Sequence, residues 1–238
     1  MAYLTTEGIV LQKTNYSETS LILKLFTLDH GLKSYIFQGA KRKNKKGNLA
    51  SALSIIQLTY YQRNDSNLAK ITAIEAEVIY KNIPFDPIKS SIVFFMNEVI
   101  QQTVKEEQYN PDLYQYLKNT LSILDLIENP ADFAIQFLLD FTKQLGFYPH
   151  VEKDAAFFDL KEGKFSKYSP NHPEFIDRAN TKLLLIFMQS KYDRPSNLKL
   201  NAATRRSLVF DLLKYYHLMF DNFKNMKTLP ILEMTFHD

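Results

Sequence analysis

The sequence contains one dense group of cations, at residues 41–46. Five of these six positions are basic, and Gly39 and Gly47 flank the group: Lys41, Arg42, Lys43, Lys45 and Lys46. Cations this close repel each other, so a loop that only connects two elements gains nothing from them. The chemistry that suits such a group is the neutralisation of a polyanion, of which a nucleic acid backbone is the commonest. The alternative is a solvated loop that aids solubility.

The distribution of charge favours the polyanion. The formal net charge of the 238-residue chain is +3 at pH 7, so without these five cations it would be −2. The positive balance is therefore local, and a local basic patch is the electrostatic pattern of a nucleic-acid-binding protein.

Catalytic motifs are missing from the sequence. The six glycines lack the order of a phosphate-binding P-loop, the five histidines are scattered without an HExxH pair, and no serine lies in a GxSxG elbow. The chain has no cysteine, which excludes disulfides, thiolate zinc sites and cysteine nucleophiles. We therefore expect a protein that is not an enzyme and that uses no cofactor.

The first third of the chain has the two-residue period of β-strands. In "SLILKLFT", residues 20–27, Leu21, Leu23 and Leu25 share one face of the predicted strand. Four further strands are predicted around 6–13, 32–38, 54–61 and 68–79. Five short strands in about eighty residues suit a small closed barrel such as the oligonucleotide-binding (OB) fold. Other small barrels fit this pattern nearly as well.

Aromatic residues accompany the cations in this predicted barrel. Lys33, Tyr35 and Phe37 alternate on one strand and so share a face, and Tyr60 and Tyr61 follow on the next strand. A cationic rim beside exposed rings holds single strands, because the charges neutralise phosphates while the rings stack on bases. In the alternative interpretation, Tyr35 or Phe37 fills the barrel.

After residue 80 the hydrophobic period changes to that of helices, and we predict an α-helical domain over 81–238. Residues 91–104 place an apolar stripe on one helix face, formed by Ile92, Phe95, Met96, Val99 and Ile100. Further helices are predicted at about 111–128, 130–145, 179–190 and 201–222, and "KTLPILEMTF" is expected to form an extended tail. A small hairpin is predicted within about 150–175. The fold class is therefore α+β: a five-stranded barrel of residues 1–80, then helices with a hairpin insertion.

The sequence gives no sign of export or membrane insertion. No run of eighteen apolar residues occurs, and the first residues lack the basic-then-apolar layout of a secretory signal. These features predict a cytoplasmic protein.

The stretch from Thr6 to Arg42 resembles the N-terminal barrel of the RecO family of bacterial recombination mediators and DNA repair proteins. The family shows a T-x-G-I-V-L strand, a Y-x-E-x-S-x-x-L-x-L-F-T hairpin, H-G-L and a G-A-R/K-R loop, which correspond here to Thr6–Leu11, Tyr16–Thr27, His30–Leu32 and Gly39–Arg42. Weaker similarity continues through "LGFYP" and the closing helix and tail, so the resemblance covers the whole chain.

The resemblance implies a noncatalytic role in recombinational repair. Family members bind single- and double-stranded DNA, anneal complementary strands and act with RecR to load the RecA recombinase onto strands coated by single-strand-binding protein (SSB). They also bind the acidic, hydrophobic tail of SSB on the helical domain. We expect the five cations of the loop, assisted by Lys33 and Tyr35, to grip DNA.

Other basic residues are secondary candidates. Lys13, Lys24 and the pair Arg205 and Arg206 are predicted to reach the same DNA-binding face, although for the arginine pair spacing alone favours a surface salt bridge. The candidates for binding the SSB tail are Lys105, Lys118 and Lys143.

One region departs from the family pattern. Many relatives bind zinc through four cysteines where residues 152–175 lie, and this chain has none there. His150, Asp154 and His172 would make a poor tetrahedral site, so no metal is expected. We predict that aromatic residues stabilise the hairpin instead: Phe157, Phe158, Phe165 and Tyr168.

Two other function classes stay open. An RNA- or ribosome-associated barrel protein would use the same cations, and competition between RNA and DNA oligomers would separate the two. A protein adaptor would act through the helical domain alone, in which case DNA would not compete with its partner.

Overall fold

The structure is a computed structural model that describes residues 3–42, 46–62, 68–106, 109–192 and 198–236. The chain forms two compact units. The first unit comprises Met1–Phe85 and Val104–Leu126, and the second comprises Asp86–Thr103 and Ile127–Asp238.

The first unit is built on a closed five-stranded barrel. Its strands are β1 (Leu4–Asn15), β2 (Leu21–Thr27), β3 (Gly31–Phe37), β4 (Ile55–Tyr61) and β5 (Ala69–Ala76). They close in the order β1-β2-β3-β5-β4, antiparallel throughout except for the parallel pair β3–β5. The predicted five-stranded OB barrel is confirmed.

Buried and partly exposed residues alternate along β2, and this pattern shows why the strands form a barrel. Leu21, Leu23 and Leu25 are buried inside it, whereas the intervening Ile22 and Lys24 are partly exposed. Each strand thus contributes one apolar face to a shared interior, which is the main driving force for closing the sheet.

Strand β1 is longer than the barrel requires. It pairs with β4 only from Leu4 to Ile9, and with β2 from Gly8 to Asn15. The register with β2 shifts between Val10 and Gln12, which indicates a bulge that bends the strand. Beyond the bulge, β1 pairs with β2 and no longer with β4, while β2 keeps its pairing with β3. We call this part of the β1–β2 pair the β1–β2 extension.

A helix from the middle of the chain belongs to the first unit. This helix was assigned by sequence to the helical domain, but α2 (Pro111–Leu126) groups with the barrel residues. The Asp125 carboxylate accepts three backbone N–H bonds, each of 2.8 Å, from Lys81, Asn82 and Ile83. These bonds fix the end of α2 to the segment that follows β5.

Within its described residues, the second unit contains four longer helices: α1 (Pro87–Thr103), α3 (Phe133–Gln144), α4 (Arg178–Gln189) and α5 (Ala202–Met219). The predicted stripe on α1 is confirmed, since all five of its apolar residues are buried: Ile92, Phe95, Met96, Val99 and Ile100. The predicted start of α3 at residue 130 was wrong. The helix begins at Phe133, because Asn129 instead accepts the Ala131 N–H in a local turn.

A small four-stranded sheet contains the predicted hairpin. Its strands are β6 (His150–Val151), β7 (Phe157–Asp159), β8 (Lys164–Ser166) and β9 (Phe175–Ile176), in the order β6-β8-β7-β9. Phe158 and Phe165 are buried and stacked with ring centroids 4.3 Å apart, and Tyr215 contacts Phe158 edge-on. The prediction that Tyr168 also stabilises the hairpin was wrong, since Tyr168 is 75% exposed. Among the described residues, no His, Asp or Glu cluster could hold a metal ion.

The sequence predicted an extended tail at the end of the chain, and the structure differs from this prediction. A short helix, α6 (Leu229–Glu233), interrupts the tail, and Leu232 is buried. The Glu98 carboxylate accepts the backbone N–H groups of Lys227 and Thr228, which holds this segment on α1. Within the described residues, no helix combines the length and apolar character needed to cross a membrane.

Candidate nucleic-acid interface

The loop between β3 and β4 begins with a tight turn that is fastened to a neighbouring turn. Gly39 has a φ of +67°, and its carbonyl oxygen accepts the Arg42 N–H at 2.9 Å. The Lys41 N–H donates to the Thr19 carbonyl oxygen at 3.0 Å, and the Gly39 N–H donates to Ser20 Oγ at 3.3 Å. The start of the basic loop is therefore joined to the β1–β2 turn.

The far side of the loop returns to the same place. Lys46 is left-handed, with a φ of 55°, and leads into a short 3-10 turn at Gly47–Leu49. Gly47 lies directly against Ala40, and a Cβ at this position would collide with the Ala40 carbonyl oxygen. Only glycine permits this close approach, which brings Lys46 back beside the first cations of the loop.

The loop and the β1–β2 extension enclose a surface groove of about 500 Å³. We call this the basic groove. Its lining residues are Lys13, Asn15, Leu21, Ala40, Lys41, Arg42, Lys46, Gly47 and Asn48. Four cations thus converge on one depression, two from the start of the loop, one from its return and one from β1.

The four cations of the basic groove are exposed and largely uncompensated. Within the described residues, the one ion pair that involves them is Lys46 Nζ to Glu75 at 3.8 Å, between side chains that are both more than half exposed. Glu18 lies in the adjoining turn but makes no ion pair with the described loop cations. Exposed pairs of this kind contribute little energy, so the groove keeps a positive field.

The remaining predicted DNA-binding residues of the loop region lie apart from this groove or outside the described residues. Lys43 and Lys45 lie outside the described residues. Lys33 lies near the start of β3, four residues before Phe37 and so about 13 Å along the strand from its end. Its ammonium group donates to Gln62 Oε1 at 3.0 Å.

The prediction that Tyr35 stacks on bases was wrong. Tyr35 and Phe37 are both fully buried, because the face they share points into the barrel. Tyr60 is buried as well, with its ring 5.2 Å from that of Tyr35 and its hydroxyl hydrogen-bonded to His30 Nε2 at 2.6 Å. These rings fill the barrel, as the alternative interpretation proposed.

Lys24 has a carboxylate partner. It lies on the outer face of β2, and its ammonium group is 2.8 Å from Glu106 Oε1. Hydrogen bonding and charge attraction from Lys24 lower the pKa of Glu106. The pair reduces the positive charge that Lys24 could offer to a nucleic acid.

Arg205 and Arg206 are both engaged with carboxylates of the second unit. Arg205 is buried, and its Nε donates to Asp132 Oδ1 at 2.8 Å. The Nε of Arg206 is 3.3 Å from Glu233 Oε1. The surface salt-bridge interpretation is confirmed for Arg206, whereas the ion pair of Arg205 is buried and leaves that side chain unavailable to DNA.

The three candidate partner-binding lysines have different surroundings. Lys118, in the first unit, lies between Glu7 Oε2 at 2.7 Å and Glu77 Oε1 at 3.0 Å. Burial lowers its pKa, but these hydrogen bonds outweigh that effect and leave the pKa raised. Lys105 is exposed in the first unit, whereas Lys143 belongs to the second and lies 6.0 Å from the centre of the Tyr148 ring. Lys118 therefore has a structural role.

Comparison with known proteins covers nearly the whole chain. Residues 1–80 match the family described as "Recombination protein O N terminal", and residues 84–219 match "Recombination protein O C terminal". The chain belongs to the recombination protein O (RecO) family.

Individual RecO proteins match along their full length. The chain is 32% identical to the DNA repair protein RecO of Flavobacterium psychrophilum over 238 residues, which covers 98% of this chain and 99% of the relative. It is 32% identical to the protein of the same name from Flavobacterium johnsoniae, with the same coverage. The RecO protein of Phocaeicola vulgatus is 28% identical, over 97% of this chain and 98% of its own length.

Three residues in or next to the basic groove were not predicted from the sequence as candidate site residues. Asn15 and Asn48 line the basic groove, and Tyr16 follows Asn15 in the β1–β2 turn with 62% of its side chain exposed. Tyr16 is the first residue of the hairpin motif by which this chain resembles the RecO family. That motif was the sequence signal that could have identified Tyr16 as a candidate. An isolated polar or aromatic residue in a turn carries no periodic pattern, so strand periodicity alone could not identify it.

Proposed function

We propose that this RecO-family chain is a noncatalytic DNA-binding mediator of recombinational repair that holds single-stranded DNA in the basic groove. The observation that carries the proposal is the convergence of Lys13, Lys41, Arg42 and Lys46 on one exposed depression of an OB barrel. Three of these cations have no carboxylate within ion-pair distance among the described residues. Phosphates can supply the missing negative charge.

The same electrostatics explain how such a protein anneals strands. Two complementary strands repel each other through their phosphates, and a basic surface lowers this repulsion without breaking or forming a covalent bond. Each phosphate contact that replaces condensed counterions contributes about 0.7 to the slope of log affinity against log salt for single strands. Four groove cations therefore account for a slope of up to about 2.8.

The proposal extends to the partners that the family resemblance implies. In the bacterial cytoplasm the protein acts with RecR, recognises the tail of SSB and loads RecA onto SSB-coated single strands. Double-stranded DNA binds through the same cations. Family membership over both matched regions supports this part of the proposal.

The first experiment changes all four groove cations to glutamine and measures binding of a fluorescent single-stranded oligonucleotide by anisotropy at several salt concentrations. We expect affinity at about 0.1 M salt to fall by about tenfold or more and the salt slope to fall by up to about 2.8. A matched control removes four exposed lysines of the second unit: Lys153, Lys182, Lys224 and Lys227. The control has the same net charge as the groove variant, so it separates a local site from a general charge effect.

Equal affinity and salt slope in the groove variant and the native protein would refute the proposal. An annealing assay on SSB-coated complementary strands then tests the mediator role, with the native protein expected to be faster than the groove variant. RNA and DNA oligomers of the same sequence should be compared as competitors, because stronger competition by RNA would favour an RNA-associated barrel protein.

A further inference from the structure

Tyr16 is an exposed residue of the β1–β2 turn, next in the chain to a residue that lines the basic groove. The β1–β2 turn that carries it is closed by the Tyr16 N–H, which donates to the Ser20 carbonyl oxygen at 3.1 Å. Asn15, the preceding residue, lines the groove itself. Sixty-two per cent of the Tyr16 side chain is exposed, and within the described residues the ring makes no aromatic contact and its hydroxyl no hydrogen bond.

The turn is fixed relative to the cations. The Thr19 carbonyl oxygen accepts the Lys41 N–H, and Ser20 Oγ accepts the Gly39 N–H. Ser17 Oγ in turn accepts the Ser20 N–H at 3.2 Å. These bonds join the turn that bears Tyr16 to the loop that bears Lys41, so the backbone positions of the turn and of the first loop cations are fixed relative to each other.

Other exposed rings of the first unit differ from Tyr16 in their surroundings. Tyr3 is 65% exposed but packs edge-on against Tyr61, with ring centroids 5.7 Å apart, at the opposite end of β1. Tyr109 is 63% exposed, but it precedes α2 and does not adjoin the groove. Among these three residues, Tyr16 is the one whose chain neighbour, Asn15, lines the basic groove and whose turn is hydrogen-bonded to the basic loop.

We propose that Tyr16 stacks on an unpaired base of a strand whose phosphates lie in the basic groove. This inference rests on the proposed function, and it adds a source of preference for single strands. A single strand can turn a base toward the ring, whereas the bases of a duplex are already stacked on one another. The basic groove then supplies affinity for any phosphate backbone, and Tyr16 discriminates in favour of unpaired bases.

The test compares Tyr16→Ala and Tyr16→Phe in the full chain with three probes: a single-stranded oligonucleotide, its duplex, and an abasic strand with the same number of phosphates. Tyr16→Ala should weaken binding of the normal single strand by about 5- to 100-fold, the range for the loss of one base–aromatic stack. Binding of the duplex and the abasic strand, and the salt slope, should not change. Tyr16→Phe keeps the ring and should restore native affinity.

Tyr109→Ala is the matched control, because it removes an equally exposed ring of the same unit that does not adjoin the groove. A second readout uses the absence of tryptophan from the chain. Tyr16→Trp creates a single tryptophan, which can be excited apart from the tyrosines and whose emission should be quenched by the normal strand and not by the abasic one.

The outcomes distinguish the two proposals. If Tyr16→Ala binds the normal strand with native affinity, or the Tyr16→Trp emission responds equally to both strands, the stacking inference is overturned while the groove can still bind DNA. If neutralising the four groove cations leaves affinity unchanged, the proposed function fails first, and the stacking inference fails with it.

Discussion

Two adjacent pairs of cations in this chain have opposite surroundings. Lys41 and Arg42 are exposed at the basic groove, and neither has an ion pair with the described residues. Arg205 and Arg206 each contact a carboxylate, and Arg205 is buried. The pairs look alike in the sequence, yet one presents its charge to solvent and the other uses its charge within the fold.

The difference shows that the position of carboxylates, more than the density of cations, decides which basic residues can bind an anion. Asp132 lies at the N-cap of α3, so its bond to Arg205 joins the first turns of α3 and α5. A phosphate at Arg205 would have to displace that carboxylate from a partly buried pair. At Lys41 and Arg42 a phosphate displaces only water and counterions.

The largest change that we predict from this comparison is a loss of folding stability when Arg205 is replaced. Arg205→Gln leaves Asp132 without its charged partner, and we expect the free energy of unfolding to fall by about 2–3 kcal/mol, slightly below the usual cost of breaking a fully buried pair. Urea denaturation measures this change. Affinity for single-stranded DNA should stay at the native value.

Arg206→Gln is the control for this experiment. Its side chain is 51% exposed and its pair with Glu233 is at the surface, so the loss should be at most about 1 kcal/mol. A variant Arg205→Gln with native stability and weakened DNA binding would reverse the comparison between the two cation pairs.

An intermediate effect is expected at Lys118. Its ammonium group pairs with both Glu7 and Glu77, and Lys118→Met would leave two partly buried carboxylates close together with no cation between them. We expect a loss of about 1–2 kcal/mol in the free energy of unfolding, because the three side chains are 21% to 30% exposed and solvent screens part of the repulsion.

The matched control for Lys118→Met is Lys105→Met, which removes an exposed lysine of the same unit and should leave stability unchanged. Thermal unfolding of both variants can be followed by circular dichroism. If Lys118→Met destabilised the protein no more than Lys105→Met, the structural role of Lys118 would be wrong.

The smallest change that we predict is in the salt dependence of DNA binding when Lys24 loses its carboxylate partner. Glu106→Gln removes its carboxylate partner and should turn a paired cation of the barrel into a free one. We expect the salt slope for single-stranded DNA to rise by at most about 0.7, one phosphate contact, with little change in stability because the pair is exposed. An unchanged slope would show that the bound strand does not reach the outer face of β2.

The stabilisation from the Lys24–Glu106 ion pair should depend on pH in a defined direction. Lys24 lowers the pKa of Glu106 in the folded protein, so the stabilisation is present above the unfolded-state pKa and is lost as pH falls through the folded-state value. Any difference in melting temperature between the native protein and Glu106→Gln should therefore be seen at neutral pH and disappear in acid. A difference that grew in acid would contradict the assignment.

Sequence patterns predicted the barrel well, because its strands carry their own signal. The alternating leucines of β2 gave both the strand and its buried face. For β3 the same period showed only that Tyr35 and Phe37 share a face, and the face could equally have pointed outward. Only the closure of the barrel places both rings inside.

Long-range pairing explains most of the remaining differences. Arg205 and Asp132 are 73 residues apart, so no local spacing could predict their ion pair. The contribution of Lys13 depends on the β1–β2 extension, which brings it beside a loop nearly thirty residues later in the chain. The cations at 41 and 42, in contrast, could be proposed from the sequence, because five basic residues in six positions repel each other unless an anion compensates them.

The close approach of Gly47 to Ala40 has a consequence for how this loop can change in evolution. Swapping lysine for arginine, or moving a charge by one position, preserves the electrostatic field and so should be tolerated among homologous sequences. Any side chain at position 47 would push against the Ala40 carbonyl and widen the loop. A residue without charge thus restricts the sequence of the loop more tightly than the charged residues around it.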